Sequence, residues 1–585
     1  MANGNKKLEL TWIGKNERTR TEPRILLEDP TKSFHAKKRY SEQDHYNNRI
    51  VYGDNLLGLK ALEHEFSGKF KCIYIDPPFN TQQAFENYDD GLEHSIWLSL
   101  MRDRLELLKT LLHDNGTLFI HIDDNELGYL IALADEVFGR INRVSIITFK
   151  QGSATGHKSI NPGCITNTNF LLMYCKKRST WKPNRVFTKR ERNVRYNQFI
   201  RNRNKGFENW EIIPLTHAFA EKNGIEPKSL KRLIPDLEKK MDEFVFENAD
   251  SVVQLARPDY DSVSKDARRM IDESKENPSK IIHLSRDGYS DMYFLKGERI
   301  IFFRDTLKEI DGELVPGEPL TTLWDDIPSH NLHNEGDVDF PKGKKPEGLI
   351  KRCLEISTEI GDWVLDSFGG SGTTGAVAHK MGRQWIMVEM GEHCHTHIIP
   401  RLTNIINGSD LGGVSNAVNW KGGGGFRYFK LAPSLLKKDS FGNWIISEKY
   451  NPEMVAEAVC KLEGFQFDPS DTVYWIHGRS TEKDFIYVTT QSLGADELEK
   501  LSDEVGNGRT LLVCCGAFRI KDQNQFKNLT LKKIPKAELN KCEWGQDDYS
   551  LSIKELSEIE LKETDKETEQ TSLFEKAKDK KKVKK

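Results

Sequence analysis

Two short segments of this 585-residue chain each join an apolar strand to a tight polar turn. Residues 73–81 read Ile-Tyr-Ile-Asp-Pro-Pro-Phe-Asn-Thr, and residues 363–375 read Trp-Val-Leu-Asp-Ser-Phe-Gly-Gly-Ser-Gly-Thr-Thr-Gly. Open α/β sheets bind their ligands at the carboxyl ends of the strands, where turns of this kind lie. The two segments therefore favour an α/β fold with a ligand pocket at one edge of its sheet.

The sequence around each turn alternates between strand and helix patterns. Residues 49–53 and 72–76 have the apolar pattern of buried strands, and Leu56–Phe66 between them has helical spacing. The second turn lies between the predicted strands Trp363–Asp366 and Trp385–Glu389. Strand, helix and strand at this spacing indicate βαβ units. The sequence therefore predicts an α/β, Rossmann-like sheet.

Composition excludes several classes of protein. The net charge is −3, with 30% charged residues, so the chain as a whole does not attract nucleic acid. Any contact with nucleic acid must therefore be made by a local basic surface. The nine cysteines include no CxxC pair, which favours reduced thiols over a zinc ribbon or a disulfide framework. The N-terminus has no apolar signal segment, and no apolar run is long enough to span a bilayer. We therefore expect a cytoplasmic protein that does not enter the membrane.

The first turn, Asp76-Pro77-Pro78-Phe79, is suited to holding the exocyclic amine of a planar base. Such an amine is a poor nucleophile because its lone pair is delocalised into the ring. The Asp76 carboxylate and the Pro77 carbonyl, kept rigid by two prolines, can accept both amino hydrogens while Phe79 stacks on the ring. The alternative is a structural Pro-Pro turn in which Asp76 is a surface acid or a helix cap.

The second turn is suited to a nucleotide-like cofactor. Its glycines let a ligand approach bare backbone, and no Lys follows them, so the turn is not a P-loop. Glu389 ends the next strand, where an acid can hold ribose hydroxyls. Asp366 lies where it can bind a cationic amino group of a ligand. Asp54 is a candidate for the ligand's adenine, with a turn-forming Asp before an N-cap as the equal alternative.

Residues 176–206 carry twelve basic residues and one acid, Glu191. Trp181, Phe187, Tyr196 and Phe199 are interleaved with them. A solvated charged face is the alternative, but the single sign and the aromatics favour phosphate contacts with base stacking. The candidate DNA-binding residues are Lys189, Arg190, Arg192, Arg195, Arg201 and Arg203.

Two further segments contain residue types that bind metals or line sites. Residues 393–397 read His-Cys-His-Thr-His, but on a helix this alternation does not place all of them on one face, so no metal site is predicted. His121-Ile-Asp-Asp-Asn125 ends a buried strand beside the first turn. It either lines the pocket, or Asp123 caps the next helix.

The sequence resembles the beta group of amino DNA methyltransferases, in particular the modification (Mod) subunits of Type III restriction–modification systems. In that group an Asp-Pro-Pro-(Tyr/Phe) motif precedes a Phe-x-Gly-x-Gly motif, with the target-recognition region between them, and residues 76–79 and 368–372 have this order. Lys345-Pro346-Glu347 is similar to a cofactor motif of the family. Two departures are Phe79, where Tyr is commoner, and Gly369, where Ala is usual.

The resemblance implies an S-adenosylmethionine-dependent methyltransferase sheet of seven strands, with an inserted target-recognition region. The strand and helix patterns of residues 440–550 predict a small C-terminal α/β domain in addition. It implies flipping of a target adenine, association into homodimers and a helicase–nuclease (Res-like) partner, with double-stranded DNA as substrate. The cofactor-binding residues that follow from it and from the turns are Asp54, Lys345, Asp366, Phe368, Gly370, Gly372, Thr373 and Glu389.

The predicted division of the chain combines these patterns. Its segments are an N-terminal arm (1–48), a catalytic half (49–150), a target-recognition insert (151–318), a cofactor-binding half (319–425), a C-terminal α/β domain (440–550) and a charged, disordered tail (551–585).

Several functions are compatible with these residues. The first is transfer of a methyl group to adenine N6, which Asp76 favours over cytosine N4, where Ser more often replaces Asp. Methylation at cytosine C5 needs a nucleophilic Cys after a Pro, and the chain has no Pro-Cys pair. A catalytically silent DNA-specificity subunit is a further alternative. An NAD-dependent dehydrogenase leaves residues 76–79 unexplained.

Overall fold

The structure, a computed structural model, describes residues 9–79, 94–152, 163–328, 335–336, 340 and 343–550. The described residues form two compact units. One contains the chain up to Asn184 and from Thr321 onward, and the other is Arg185–Leu320. The predicted tail at 551–585 lies outside the described residues.

The elements are numbered in chain order. The strands before the second unit are β1 (Leu26–Glu28), β2 (Phe34–His35), β3 (Asn48–Tyr52), β4 (Phe70–Ile75), β5 (Leu112–Ile122), β6 (Arg143–Lys150) and β7 (Thr168–Cys175). Those of the second unit are β8 (Phe187–Lys189), β9 (Gln198–Arg201), β10 (Glu211–Pro214), β11 (Val252–Ala256), β12 (Ile282–Leu284), β13 (Met292–Leu295), β14 (Glu298–Phe302), β15 (Leu307–Ile310) and β16 (Glu313–Pro319). The remaining strands are β17 (Leu323–Trp324), β18 (Trp363–Asp366), β19 (Gln384–Glu389), β20 (Gly425–Leu431), β21 (Leu436–Lys438), β22 (Trp444–Ile446), β23 (Gln466–Phe467), β24 (Gly478–Arg479), β25 (Asp484–Leu493), β26 (Thr510–Phe518) and β27 (Leu529–Lys533).

The helices follow the same numbering. They are α1 (Asn55–Phe66), α2 (His94–Leu111), α3 (Leu127–Ala134), α4 (Leu215–Asn223), α5 (Leu230–Leu233), α6 (Leu237–Glu247), α7 (Lys265–Glu276), α8 (Glu347–Ser357), α9 (Thr373–Lys380), α10 (Ile399–Asn407), α11 (Pro452–Glu463) and α12 (Ala495–Val505). Short π-helical turns follow α3 and precede α10.

The main sheet has the predicted Rossmann-like character. Among the described residues the sheet has eleven strands, more than the seven that the resemblance implies, and seven of them run in the order β3-β19-β18-β4-β5-β7-β6. The first five are mutually parallel, and β7 is antiparallel to both of its neighbours. The predicted α/β fold class is therefore confirmed, and the segment 185–320 is an insertion between β7 and β17.

Helix α2 shows why the sheet is stable. Trp97, Met101, Leu105 and Leu108 recur at helical spacing and are fully buried against the strands. Each such side chain contributes about 2 kcal/mol through the apolar surface that it removes from water. The amphipathic pattern that predicted this helix thus also fixes the face that packs on the sheet.

The boundaries of the compact units differ from the predicted division. The insert was predicted to begin at residue 151, but β7 pairs with β5 in the main sheet, and the second unit begins at Arg185. The main sheet also extends beyond residue 425, because β20 pairs in parallel with β3. Long-range strand pairing, which local composition does not reveal, sets both boundaries. The assignment of a function to each segment stays a prediction.

The C-terminal segment 436–550 belongs to the same compact unit as the main sheet. It has its own sheet, in the order β23-β24-β25-β26-β27, with β25, β26 and β27 parallel. Its core joins that of the N-terminal arm, since Ile25 is buried together with Val459 and Ile486. The arm and the C-terminal sheet are thus packed on each other.

The second unit is built mainly from antiparallel strands. One sheet has the order β10-β9-β11-β14-β13-β12, and a smaller one has the order β15-β16-β8. A core that includes Tyr196, Phe219, Phe244 and Phe303 packs α4 and α6 against the larger sheet.

Candidate active site

The two turns singled out in the sequence lie side by side. Strands β18 and β4 are parallel neighbours, with Leu365 opposite Ile73. Asp366 ends β18 and Asp76 follows β4, so both acids lie at the carboxyl edge of the sheet. From this point the chain winds outward in opposite directions, through β19 on one side and β5 on the other. Such a switch point forms a crevice in which α/β proteins bind ligands.

The Asp76-Pro77-Pro78-Phe79 turn is stabilised by contacts with Trp97 on α2 and with Lys345. Trp97 on α2 donates its indole N–H to the Pro78 carbonyl over 2.9 Å, and Pro77 is buried. Asp76 Oδ2 forms an ion pair with Lys345 Nζ at 2.6 Å. Asp76 Oδ1 is buried and has no hydrogen-bond partner among the described residues. The turn therefore presents one unused carboxylate oxygen.

A neutral histidine lies beneath the Phe79 ring. The rings of Phe79 and His121 are 5.7 Å apart, and His121 is fully buried. Its Nδ1 is 2.9 Å from the Tyr74 hydroxyl, and Asn169 Nδ2 is 3.1 Å from its Nε2. Burial lowers the pKa of His121 well below its usual range, and the Lys345 charge lowers it further. The imidazole is therefore an uncharged support for the ring.

The open alternative for residues 121–125 is resolved by their contacts. His121 lies beside the first turn, as above, while Asp123 accepts hydrogen bonds from the backbone and side-chain amides of Asn125 at 3.1 and 2.7 Å. Asp123 closes a local turn and does not cap α3, whose N-cap residue is Glu126.

The glycine turn after β18 has the shape that the sequence predicts. Gly370 and Gly372 have φ angles of +51° and +76°, which side-chain-bearing residues rarely adopt. A Cβ atom on Gly372 would lie 3.2 Å from Ile398 Cγ2, and one on Gly369 would lie 3.3 Å from the Val388 carbonyl oxygen. The turn is therefore packed closely from behind.

Asp366 is a buried acid at the base of this turn. It accepts hydrogen bonds from the Phe368 N–H at 2.9 Å and from the Thr374 hydroxyl at 2.6 Å. Burial nevertheless raises the pKa of Asp366 to about 8, with the charges of Asp76 and Glu389 acting in the same direction. A cationic group placed beside Asp366 would relieve this unfavourable charge.

Glu389 links the glycine turn to the end of β19. Its Oε2 accepts from the Gly370 N–H at 2.7 Å, and its Oε1 accepts from the Gly391 N–H at 2.8 Å. Burial would raise the pKa of Glu389, but the hydrogen bond and charge of His393 and these backbone donors bring it below its ordinary value. Glu389 is therefore an ionised acid at the mouth of the turn.

Asp54 has the contacts of a helix cap. Its Oδ1 accepts from the Leu57 N–H at 3.1 Å, which caps α1. Its Oδ2 accepts from the Tyr549 N–H at 3.1 Å, and Arg104 is 3.7 Å away. Asp54 is thus itself the N-cap of α1 and does not precede it, and its cofactor role stays a prediction.

Lys345 reaches the first turn rather than the second. Its side chain pairs with Asp76, and its ammonium lies 5.0 Å from the centroid of the Phe79 ring. Its backbone lies beside the glycine turn, where its carbonyl accepts from the Thr373 hydroxyl at 3.4 Å. The cofactor contact predicted for Lys345 stays a prediction.

A buried ion network, which the sequence analysis did not predict, supports the glycine turn. Arg401 donates to the Ser371 carbonyl at 3.1 Å, to the Thr373 hydroxyl at 2.9 Å and to Glu347 at 2.7 Å. Lys380 bridges Glu347 at 2.8 Å and Asp410 at 2.7 Å. These four charged side chains are at most 1% exposed. Their partners are distant in sequence, so no local motif marks them.

The predicted DNA-binding residues lie in the second unit, where most are paired with acids. The ion pairs are Lys189–Glu313 at 3.0 Å, Arg190–Glu318 at 3.7 Å, Arg192–Asp242 at 2.5 Å and Arg201–Glu211 at 3.0 Å. Arg203 lies on the rings of Trp210 and Phe302. Arg195 is exposed, and no ion pair to it occurs among the described residues. Of the six, Arg195 is thus the most available to a phosphate.

The interleaved aromatics are used for packing. Tyr196 is 3% exposed in the core of the second unit, and Phe199 stacks on Phe244. Trp181, in the first unit, donates its indole N–H to the Thr117 hydroxyl at 2.9 Å. The base-stacking role predicted for this set is therefore wrong for Tyr196, because its ring cannot reach a nucleotide without unfolding the core.

The histidine segment 393–397 forms pairwise contacts. His393 pairs with Glu389 at 3.1 Å, and His395 lies 2.9 Å from the Tyr428 hydroxyl. Over the ranges that the structure describes, no cluster of three or more His, Cys, Asp or Glu side chains is arranged to hold a metal ion. Among the described helices, none combines the length and apolar character needed to cross a bilayer.

Comparison with known proteins identifies relatives of this arrangement. A profile of the N6/N4 methyltransferase family, described as DNA methylase, matches residues 70–400. The probable type III restriction-modification enzyme HindVI Mod subunit of Haemophilus influenzae is 35% identical over 433 residues, covering 68% of this chain and 55% of that protein. The type III enzyme EcoP15I Mod subunit of Escherichia coli is 25% identical over 448 residues, covering 66% of this chain and 64% of that protein.

The chain thus spans little more than half of the first relative and less than two thirds of the second. Among solved structures, this chain is similar to the M1.HpyAVI–SAM complex, at 14% sequence identity and a TM-score of 0.29. The match covers 60% of this chain and 98% of the M1.HpyAVI chain. The sheet order described above, and not this likeness, carries the fold assignment.

Proposed function

The chain belongs to the N6/N4 DNA methylase family, and from this membership we propose that it is a site-specific DNA methyltransferase. The proposed reaction transfers a methyl group from S-adenosylmethionine to the N6 amino group of a flipped-out adenine. The observation that carries the proposal is the position of the Asp76 turn beside the Phe368–Thr373 turn, at the carboxyl ends of adjacent strands.

The residues around the second turn fit S-adenosylmethionine. Asp366, whose ionisation is unfavourable without a cation, suits the amino group of the methionine moiety. Ionised Glu389 suits the ribose hydroxyls, and the side-chain-free edge of Gly370 and Gly372 allows close approach. When bound, the cofactor supplies an electrophilic methyl group on its sulfonium. Asp54 and Thr373 are proposed as further contacts.

The residues of the first turn position the base. Asp76 and the Pro77 carbonyl accept the amino hydrogens, which localises the nitrogen lone pair toward the methyl group. Phe79 stacks on the purine, and neutral His121 supports the ring without adding a charge. Positioning and polarisation account for the rate, and no covalent intermediate is required.

The amino group of a paired, stacked adenine is out of reach, so the base must leave the duplex. We propose that the second unit binds the double-stranded DNA, with Arg195 as a phosphate contact. Relatives are named Mod subunits of type III restriction-modification enzymes. By that likeness, we propose that this chain acts in the cytoplasm as a homodimeric modification subunit with a helicase–nuclease partner.

Long-read sequencing of DNA from cells that express the chain gives the modified base and its sequence context. Tritium transfer from labelled S-adenosylmethionine to that DNA then tests Asp76→Ala, which is expected to abolish transfer while cofactor binding remains. Undiminished transfer would refute the role of Asp76. Nucleoside mass spectrometry separates N6-methyladenine from N4-methylcytosine, and the latter alone would replace adenine as the target. No transfer by the wild-type chain would favour a silent specificity subunit.

A further inference from the structure

We propose that the Lys345 side chain is a gate on the target-base pocket, closed when it pairs with Asp76 and opened when its ammonium moves to the cofactor carboxylate. This inference rests on the function proposed above and deepens it. It gives Lys345 a part in base entry as well as in cofactor binding.

In the closed arrangement the ammonium makes both contacts expected of the base amine. Lys345 Nζ donates to Asp76 Oδ2 at 2.6 Å, and it lies 5.0 Å from the centroid of the Phe79 ring. A flipped adenine would also donate an N–H group to Asp76 and lie on Phe79. Two nitrogen donors cannot occupy the same place over one ring, so the base can be seated only after Lys345 moves.

The gate is stable in this position because the pair is sheltered. The side chains of Lys345 and Asp76 are 10% and 20% exposed. Among the described residues, Asp76 is the only acid paired with Lys345. A partly buried ammonium that leaves its carboxylate needs another anion nearby, because an unpaired charge in such a place is costly. Thermal motion alone therefore opens the pocket rarely.

The backbone of Lys345 is attached to the cofactor side of the crevice. Its carbonyl accepts from Thr373, at the end of the glycine turn, and Pro346 then leads into α8. Arg401 and Glu347 fix this segment through the buried ion network. The residue thus joins the two turns, with its main chain beside one and its ammonium on the other.

A ligand seated on the glycine turn offers the missing anion. With its amino group at Asp366, such a ligand would present the carboxylate of its amino acid moiety as an anion with which the Lys345 ammonium could pair. Movement of the ammonium to this carboxylate frees Asp76 Oδ2 and the face of the Phe79 ring for the base. Cofactor binding and base entry are then coupled, with the cofactor binding first.

The first test uses no DNA and no turnover. Calorimetry measures the affinity of S-adenosylhomocysteine and of its decarboxylated analogue, which keeps the amine but lacks the carboxylate. Asp76→Asn releases Lys345, so the affinity of S-adenosylhomocysteine should rise about fivefold relative to that of the analogue. The analogue reports the change at Asp366 alone, since loss of the Asp76 charge favours the ionised form of that acid. Lys345→Met should remove the preference for the carboxylate, with Lys345→Gln as a second variant should the first be unstable.

Asp123→Asn is the matched control, because this acid contacts Asn125 and not Lys345. It should leave both affinities unchanged. The gate is refuted if Asp76→Asn does not tighten S-adenosylhomocysteine, or if it tightens both ligands equally. A preference for the carboxylate that survives in Lys345→Met would refute it as well.

The second test reports base entry directly. A duplex carrying 2-aminopurine at the target adenine should become fluorescent with the wild-type chain only when S-adenosylhomocysteine is added. With Lys345→Met the signal should rise several-fold without the cofactor product. Equal signals from wild type with and without it would overturn the gate. If the wild-type chain transfers methyl groups but the calorimetric affinities do not change as expected, the gate alone is refuted. If the wild-type chain transfers none, the proposed function is refuted, and the calorimetric test of the gate can still be carried out.

Discussion

The buried ion network behind the glycine turn provides the sharpest test of how this site is held. Glu347, Arg401, Lys380 and Asp410 comprise two cations and two anions, all at most 1% exposed. Glu347→Gln removes one anion and leaves an uncompensated positive charge in the interior. Breaking a buried pair in this way costs about 3–5 kcal/mol. The amide oxygen that Gln retains can still accept hydrogen bonds, so we expect the free energy of unfolding to fall by about 3 kcal/mol.

Hydrogen exchange measured by mass spectrometry over α8 and α9 reports this loss locally. A destabilisation of about 3 kcal/mol corresponds to roughly 100-fold faster exchange of amides that open with this region. Glu355→Gln on the same helix is the control. Glu355 pairs with Lys351 at 2.6 Å in a half-exposed position, and such pairs contribute about 0–1 kcal/mol. Equal effects of the two substitutions would refute the reasoning.

A double-mutant cycle separates charge balance from shape. Glu347→Gln with Arg401→Met removes one charge of each sign and leaves the Lys380–Asp410 pair at 2.7 Å intact. The double variant should lose about as much stability as either single variant, so that the coupling is near ~3 kcal/mol. Additive losses would show that geometry, and not charge, stabilises the network.

The pH dependence of the network has a definite sign. Although burial would raise the pKa of Glu347, the charges of Arg401 and Lys380 hold it below its ordinary value of 4.5. A carboxyl with a depressed folded pKa stabilises the protein above its unfolded pKa, and the contribution is lost as pH falls through the folded pKa. Protection of α8 should therefore fall below about pH 4.5 in the wild type but not in Glu347→Gln.

Three further outcomes are expected. The affinity for S-adenosylhomocysteine should rise as the pH rises through about 8, because Asp366 is then ionised and can pair with the ligand's amino group. Calorimetry should show no such increase in affinity for Asp366→Asn. Arg195→Glu should lower the salt dependence of DNA binding by about one phosphate contact. Arg192→Gln should change it less, because Arg192 already pairs with Asp242. Binding titrations at several salt concentrations compare the two variants. Phe79→Ala should lower kcat/KM for DNA at least ~10-fold through lost stacking, and Phe79→Tyr should keep most of it; tritium transfer measures both.

The fold and the two turns were predictable because they depend on local patterns. Buried strands have a recognisable apolar texture, and α2 shows the helical spacing of its buried face. Positive-φ glycines and paired prolines restrict the backbone whatever surrounds them, so the turns at Asp76 and Gly370 could be placed directly.

The partners of charged residues were not predictable in the same way. Residues 176–206 look strongly basic, yet in the folded chain Asp242, Glu211, Glu313 and Glu318 neutralise arginines and a lysine of that run. Charge in a sequence is counted along the chain, whereas Coulomb interactions depend on distance in space. The same reason explains Arg401, whose acid partner is 54 residues away.

The sequence by itself determined that two tight polar turns follow two buried strands, and in which order. Only the tertiary structure decided that these strands are adjacent, that His121 lies beneath Phe79, and that Lys345 reaches Asp76 across the crevice. Local backbone preferences depend on a few neighbouring residues, so they can be predicted from the sequence. Adjacency across the sheet depends on which strands pair, and that is settled by the packing of the whole core.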